Sequence, residues 1–272
     1  VANGHGYVMV ALVYAIIAVP MFLIVFFTSK EVVQPVGEPQ PFSFKDTISN
    51  LVKNKYLMII TLVMALQMTA FMGRIAVTAF YVIYCLGSFT MISLIMTIPS
   101  IGGIIGSFFV PAVAKKIGKR NVLMWSMIIQ GIGLVIMYLA PFNNMKMVLA
   151  GDIIFGLFNV GFPMSLSMVA DSVDYMELKT GTRTDGTAYA TYGLATKIGN
   201  AVGGAFGILI MSAFGYVANA QQTAQALKGI NFTVNLLPAI LFFLAAAMCL
   251  LWKMTDKEAE DIRAQLREKH NA

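Results

Sequence analysis

The chain has 272 residues, of which 58% are hydrophobic and only 12% are charged. A soluble domain usually carries about 45–50% apolar and about 25% charged residues, so this chain has too few charges to cover a water-exposed surface. The composition therefore excludes a cytosolic enzyme, a secreted disulfide scaffold and a disordered tail. The net charge of +6 does not by itself indicate nucleic-acid binding, because the positions of the charges matter more than their sum in a membrane protein.

Seven stretches of the sequence are long and apolar enough to cross a bilayer as helices, which takes about 20 residues. In chain order they are Tyr7–Phe27, Tyr56–Leu86, Phe89–Ala114, Val122–Ala140, Met147–Ala170, Gly186–Phe214 and Asn231–Trp252. The first stretch is too long, and too weakly basic at its front, to be a signal peptide. The sequence therefore predicts an all-α membrane protein with seven transmembrane helices.

The connections divide the chain into four predicted segments, which are residues 1–29, 30–55, 56–254 and 255–272. The first segment is a single helix. The second contains Pro35, Pro39 and Pro41, which block helix continuation, and ends in a predicted short amphipathic helix over Ser43–Lys55. The third segment holds six spans. The fourth mixes acidic and basic residues at helical spacing, which is typical of a solvated helix.

The lysines and arginines of the connections fall almost entirely on one side of the predicted membrane. Most of the 19 lie in alternate connections and in the C-terminal tail, whereas Lys146 and Lys228 lie on the opposite side. Basic residues stay cytoplasmic because their translocation is costly, so we expect the N-terminus outside and the C-terminus inside the cell. Because the sequence begins at Val1 rather than Met, we also expect a fragment of a longer chain.

The sixth span contains Lys197, a charged residue where a bilayer disfavours charge by about 2.5–3.5 kcal/mol. At 100° per residue, Lys197 shares one stripe of its helix with Tyr189, Gly193, Asn200 and Gly204. Such a stripe favours the lining of a polar cavity. The alternative is a structural lysine that pairs with a carboxylate on another helix, although no carboxylate at the same depth is obvious.

Arg74 lies centrally in the second span and shares its helix face with Tyr81. A guanidinium suits carboxylates or sugar hydroxyls, and it suits an ion pair between helices equally well, so both roles stay open. In the fifth span, Asp152 and Asn159 share a face with Phe162. Asp152 falls close to the start of that span, which favours a position near the outer interface.

Neither catalysis nor a metal site is predicted. The two histidines, His5 and His270, sit at the termini, which argues against a histidine metal cluster. The sequence has no phosphate-binding loop, no Gly-x-Ser-x-Gly motif and no dinucleotide fingerprint with its acidic partner. We therefore expect no cofactor and no nucleic-acid partner.

Two glycine patterns lie within predicted spans. Gly102, Gly103 and Gly106 follow Pro99, and a second set, Gly199, Gly203 and Gly207, repeats at four-residue steps. Small residues let membrane helices approach closely, and proline loosens a helix locally. Close packing is the favoured role, with helix bending as the alternative.

The densest run of charges ends the fifth span and reads MVADSVDYMELKTGTRTDG over Met168–Gly186. With Lys197 in TKIGNAVGG, this run resembles the glycoside–pentoside–hexuronide:cation symporter family of the major facilitator superfamily. The KKIGKR of Lys115–Arg120 is similar to the basic turn between the second and third helices of each superfamily repeat. GRIAVTAFYVIYCLG, which contains Arg74, is similar to the family's seventh helix.

The resemblance implies that the seven spans correspond to helices 6–12 of a twelve-helix transporter in a bacterial inner membrane. Residues 1–29 would then be the last helix of the N-terminal half, 30–55 the central cytoplasmic loop, 56–254 the C-terminal half and 255–272 a cytoplasmic tail. The family binds its coupling cation, Na⁺ or H⁺, through aspartates on helices two and four. That site would therefore lie mainly in the missing N-terminal half, which is an expected partner of this chain.

The resemblance also implies a function, which is cation-coupled symport of a glycoside, pentoside or hexuronide by alternating access. Melibiose-type carriers have a tryptophan where this sequence has Phe162, so their sugar preference does not transfer directly. The expected substrate-binding residues are Lys197, Asn200, Tyr189, Arg74, Tyr81, Phe162 and Asn159. The expected inner gate comprises Asp171, Asp174, Glu177, Lys179, Arg183, Lys119 and Arg120. The alternatives are a carrier or exporter of a non-sugar substrate and a non-transporting scaffold or receptor.

Overall fold

A computed structural model describes residues 4–29, 52–181 and 183–271 of the chain. In these ranges the regular structure is helical, and seven helical stretches are long and apolar enough to cross a membrane. The predicted all-α class and the seven spans are therefore confirmed. The proline-rich connection and most of the predicted helix over Ser43–Lys55 lie outside the described residues.

The chain forms two compact units, Val1–Pro41 and Phe42–Ala272. The described part of the first unit is helix α1, Gly4–Thr28. The helices of the second unit are α2 (Lys55–Phe80), α3 (Met91–Ile117), α4 (Lys119–Leu139), α5 (Met145–Leu157), α6 (Gly161–Thr180), α7 (Asp185–Ala213), α8 (Ala224–Asn231), α9 (Leu237–Cys249) and α10 (Asp256–Asn271). A π-helical turn, Tyr81–Cys85, extends α2, and another, Phe232–Leu236, joins α8 to α9.

The predicted fifth span is two helices rather than one. Residues 158–160 interrupt the helical backbone between α5 and α6, so the predicted common face of Asp152, Asn159 and Phe162 is broken. Beyond the break, α6 continues to Thr180 and carries Asp171, Asp174 and Glu177 on its last turns. The apolar stretch that predicted this span, Met147–Ala170, therefore ends before the helix does.

Two helices, α2 and α7, approach each other along a seam of glycines. A Cβ atom on Gly199 would lie 2.6 Å from the Ala65 carbonyl oxygen, and one on Gly203 would collide with the Thr69 carbonyl oxygen. Because only hydrogen fits there, the two backbones come close enough to pack without side chains between them. The repeating glycines of α7 thus have the favoured packing role.

Alanine at two adjacent glycines of α7 should separate packing from helix propensity. Gly203→Ala should destabilise the protein by about 1–3 kcal/mol because its methyl group would meet the Thr69 backbone. Gly204→Ala should be neutral or slightly stabilising, since no atom lies within 4 Å of its added Cβ and alanine favours a helix. Thermal unfolding of the purified variants measures the difference. Equal effects at the two positions would contradict this packing.

The C-terminal helix α10 is held against the unit along one face. Ala259 and Leu266 are buried, and α10 contacts α6. The helix begins with reciprocal hydrogen bonds in which the Glu258 carboxylate accepts from the Thr255 N–H at 2.7 Å and the Thr255 hydroxyl accepts from the Glu258 N–H. The bonds from the Thr255 backbone and hydroxyl lower the pKa of Glu258. The predicted helix is present and most of its described residues are exposed, while one apolar face packs against the unit.

Candidate functional site

Much of the surface of α7 is exposed in the described chain, and that surface includes one polar stripe. We call Tyr189, Gly193, Lys197, Asn200 and Gly204 the open stripe. Tyr189 is 39% exposed and Lys197 is exposed, while added Cβ atoms on Gly193 and Gly204 would meet nothing within 4 Å. At the level of Lys197, the opposite side of α7 is the glycine seam against α2. The helix therefore packs with its glycine face, and its exposed surface carries this polar stripe beside apolar residues such as Leu194 and Ile198.

Two polar groups of the open stripe have no partner within the described ranges. No carboxylate forms an ion pair with Lys197 there. The Asn200 Oδ1 atom is buried and accepts no hydrogen bond from a described residue. A buried acceptor without a partner costs about 1–3 kcal/mol, so this face of α7 is suited to a ligand or another polar surface.

The break between α5 and α6 is built by close helix contacts and a side-chain hydrogen bond. The Gln130 side chain donates to the Phe158 carbonyl oxygen at 3.0 Å, which satisfies a backbone acceptor released by the break. A Cβ atom on Gly102 would lie 2.5 Å from the Gly156 carbonyl carbon, so α3 packs directly against the end of α5. Broken helices occur near the substrate sites of many transporters.

Phe162 and Asn159 lie at this break. Phe162 is 49% exposed, and its ring centroid is 6.2 Å from that of Tyr192 on α7. The Tyr192 and Ser165 hydroxyls are 2.7 Å apart in a hydrogen bond between α6 and α7. Asn159 is partly exposed and approaches Gly103 of α3. The structure thus places Phe162 beside α7, with an open aromatic surface.

Arg74 is enclosed within the unit and pairs with Asp152. Its guanidinium donates to the Asp152 Oδ1 at 2.6 Å and lies 4.5 Å from the centre of the Phe155 ring. The two charged side chains are 2% and 0% exposed, and Tyr81 is also fully buried. The structure therefore places Asp152 inside the helix bundle, and its depth in the membrane stays a prediction. Of the two roles left open for Arg74, the geometry supports the ion pair between helices.

A cluster of ion pairs lies at the end of the unit where α6 stops and α4 and α7 begin, here called the charged end. Asp171 is its most enclosed acceptor. One Asp171 oxygen accepts from Lys119 Nζ at 2.5 Å, and the other accepts from the Arg263 guanidinium at 3.1 Å. This carboxylate therefore connects α6 to α4 and to α10.

Arg183 forms the other centre of the charged end. It donates to Asp174 at 3.1 Å and to Glu177 at 2.5 Å, and it donates twice to Asp185 at 2.5 and 3.1 Å. Although burial lowers the pKa of the Arg183 guanidinium, the hydrogen bonds to Asp185 and Glu177 raise that pKa above the ordinary arginine value. Arg183 therefore stays charged and ties α6 to the start of α7.

Two residues expected in the inner gate lie outside these ion pairs. Lys179 Nζ is 5.0 Å from the centre of the Tyr175 ring, and Arg120 donates to the Trp252 carbonyl oxygen at 3.2 Å and to Asn121.

Sequence reasoning also missed Arg263 and the helix break. Gly161 and Pro163 were a signal for the break, because glycine and proline interrupt helices, whereas nothing local distinguished Arg263 from the other tail charges.

Comparison with known proteins identifies related sequences along most of the chain. The profile of the family described as MFS/sugar transport protein matches residues 2–256. The isoprimeverose transporter of Lactiplantibacillus pentosus is 34% identical over 99% of this chain and 56% of its own length. The uncharacterized symporter YjmB of Bacillus subtilis (strain 168) is 26% identical over 97% of this chain and 58% of its own length. The glucuronide carrier protein homolog of Escherichia coli (strain K12) is 26% identical over 94% of this chain and 56% of its own length. The chain thus spans about half the length of the curated relatives it matches.

Proposed function

The chain belongs to the MFS/sugar transport protein family, and on that basis we propose that the protein containing it is a cation-coupled symporter of a glycoside, pentoside or hexuronide. Relatives named as an isoprimeverose transporter, a symporter and a glucuronide carrier homolog support both the substrate class and the coupling. Carriers of this architecture bind substrate between two helical halves, which rock to expose the site to either side. The coupling cation is Na⁺ or H⁺.

The observation that carries this proposal is the open stripe of α7. Lys197 is exposed on the side of α7 opposite Gly199, and the buried Asn200 amide oxygen has no partner among the described residues, near the middle of a helix long enough to cross the bilayer. Exposure of such groups to hydrocarbon is unfavourable, whereas sugar hydroxyls or a uronate carboxylate would satisfy both. The stripe therefore suits the wall of a watery substrate path.

Each residue of the proposed substrate site has a chemical role. Lys197 donates to sugar hydroxyls or a carboxylate, and Asn200 accepts from a hydroxyl. Tyr189 extends this polar surface towards the charged end, since it lies two turns from Lys197 on α7. Phe162 offers an aromatic face to a sugar ring, and Asn159 adds a polar group beside it. Arg74 and Tyr81 are enclosed in the unit, so the proposal gives them no direct contact with the substrate.

The rest of the proposal concerns the membrane and the partner half. We place the protein in a bacterial inner membrane, with residue 1 on the periplasmic side and the tail in the cytoplasm, because most basic residues lie on the side of the tail. An N-terminal half would supply the opposite wall of the cavity and most of the cation site. The charged end would then face the cytoplasm and serve as an inner gate.

Loss of one ion pair at the charged end should shift the carrier towards its inward-open state. Ion pairs formed in one conformation bias the populations of the two states, although each exposed pair contributes only about 0–1 kcal/mol. Asp174→Asn and Arg183→Gln should each raise labelling of cysteines on the inner side of the cavity and lower it on the outer side. Arg267→Gln, on the exposed tail surface, is the matched control. Unaltered labelling in both test variants would contradict the role of the charged end as an inner gate.

Counterflow with the full-length protein tests the proposed function directly. Proteoliposomes loaded with a panel of neutral and acidic glycosides should exchange labelled substrate, with Na⁺ and pH varied separately to identify the coupling ion. Exchange of a glycoside that depends on one cation is the expected result. Exchange of lipophilic or other non-sugar compounds alone would favour a different carrier, and absence of any flux would favour a scaffold or receptor.

A further inference from the structure

An apolar groove lies between α3 and α4 and shares no residue with the open stripe. Its volume is about 340 Å³, and its walls include Phe109 and Val113 of α3, Trp125 of α4 and Phe158 at the helix break. A volume of this size falls in the range of about 300–1,000 Å³ that is typical of small-molecule sites. Phe109 and Trp125 are more than half exposed, so the groove is accessible from outside the described unit.

A smaller pocket with both charged and apolar walls adjoins the groove near the charged end. Its volume is about 150 Å³, it shares Ile117 with the groove, and Arg120 and Lys253 line it. Arg120 uses three of its five N–H groups, on the Trp252 carbonyl oxygen and on Asn121, so two remain for a further acceptor in the described region. The pocket therefore offers positive charge and free donors next to an apolar groove.

One carboxylate also lines this pocket. Asp256 accepts a hydrogen bond from the Lys119 backbone N–H at 3.1 Å. This N–H belongs to the first turn of α4 and has no acceptor within the helix, so part of the Asp256 charge is already engaged. The balance of the pocket remains basic. Lys116 does not line the pocket, but it is exposed and lies three residues after Val113 and seven after Phe109, on the same face of α3. Lys115 lies on a different face.

We propose that the groove and the pocket together bind one anionic phospholipid of the bilayer. An acyl chain would occupy the apolar groove, and the phosphate would contact Arg120, Lys253 and Lys116. Charge complementarity selects this occupant, since a neutral lipid or an apolar protein segment would leave the basic pocket unmatched. The groove and the pocket share no residue with the proposed substrate site, so this inference does not depend on which substrate is carried.

Quenching of Trp125 fluorescence by brominated lipids tests the site in the full-length protein. The probes are phosphatidylglycerol and phosphatidylcholine with identical brominated acyl chains, and the Trp125→Phe variant gives the signal to subtract. Phosphatidylglycerol should quench Trp125 at a lipid concentration at least about fivefold lower than phosphatidylcholine does. Glycerol phosphate, which has the headgroup chemistry without the acyl chains, should not compete at the same concentration.

Substitutions on α3 and at Lys253 then separate a site from general surface charge. Lys116→Gln and Lys253→Gln should each weaken the phosphatidylglycerol effect about fivefold, since a basic residue near the headgroups contributes about 1 kcal/mol. Val113→Phe, at an exposed wall position, should fill the groove and remove the difference between the two lipids, which leaves only ordinary lipid contact at Trp125. Lys115→Gln is the matched control and should change little.

Three results would overturn the proposal. Equal quenching by the two lipids would mean ordinary lipid contact without a headgroup site. Equal effects of Lys115→Gln and Lys116→Gln would mean general attraction to the surface. No quenching of Trp125 by either lipid would mean that another part of the protein covers the groove.

Discussion

Replacement of Lys197 by alanine is expected to abolish substrate accumulation while the protein still folds and reaches the membrane. Lys197 is exposed on the open stripe and forms no ion pair in the described region, so its removal breaks no internal contact. Charged hydrogen bonds to a ligand contribute about 1.5–3 kcal/mol, which corresponds to a loss of about tenfold to more than a hundredfold in affinity. Counterflow and direct binding on the purified full-length protein measure this loss.

The control for Lys197→Ala is Lys146→Ala, which removes the same side chain from an exposed position just inside α5. Lys146→Ala should leave substrate binding, substrate flux and the elution volume in size-exclusion chromatography unchanged. If Lys197→Ala transported normally, Lys197 would have no place in the substrate site. If it failed to fold, the lysine would be a structural group rather than part of an open cavity wall.

Removal of Asp152 is expected to cause the largest loss of stability among the described charged residues. Asp152→Ala would leave the Arg74 guanidinium buried without its counter-ion, which typically costs about 3–5 kcal/mol. The aromatic ring of Phe155 and the Met137 sulfur would remain as its neighbours, and neither carries a charge. Thermal unfolding in detergent and the yield of folded protein should both fall.

A paired substitution tests whether this loss comes from the unmatched charge. In Arg74→Met with Asp152→Leu, both charges are replaced by apolar groups, and such replacements are often neutral or stabilising. The double variant should therefore recover much of the stability lost in Asp152→Ala. Glu260→Ala, on the exposed face of α10, should stay within about 0.5 kcal/mol of the parent. A double variant as unstable as the single one would contradict the ion-pair account.

Hydropathy predicted the spans because the bilayer imposes the same length and polarity on each of them. It placed their ends less well where charges continue a helix, as in α6, which runs through Asp171 and Glu177 to Thr180. The burial of Asp152 within the bundle was not predicted either. The helix α5 begins at Met145, so Asp152 lies about 10 Å along its axis rather than at its edge.

Contacts between distant parts of the chain could not be predicted from one sequence. Arg74 and Asp152 are 78 residues apart, and Asp171 and Arg263 are 92 residues apart, so no local spacing connects them. The break at residues 158–160 depends on Gln130, which supplies a hydrogen bond from a neighbouring helix. Lys197 was easier to single out, because a charge within an apolar span needs an explanation even in isolation.

Accessibility of a cysteine on the open stripe tests the central claim most directly. An added side chain at Gly193 meets no atom within 4 Å, and the native Cys85 and Cys249 are buried, so Gly193→Cys gives a clear signal within this chain. A charged, membrane-impermeant thiosulfonate should modify it rapidly, and a transported glycoside should protect it. Modification by a lipid-soluble maleimide alone, with no reaction with the charged reagent, would show that this face of α7 meets hydrocarbon and would contradict a substrate path there.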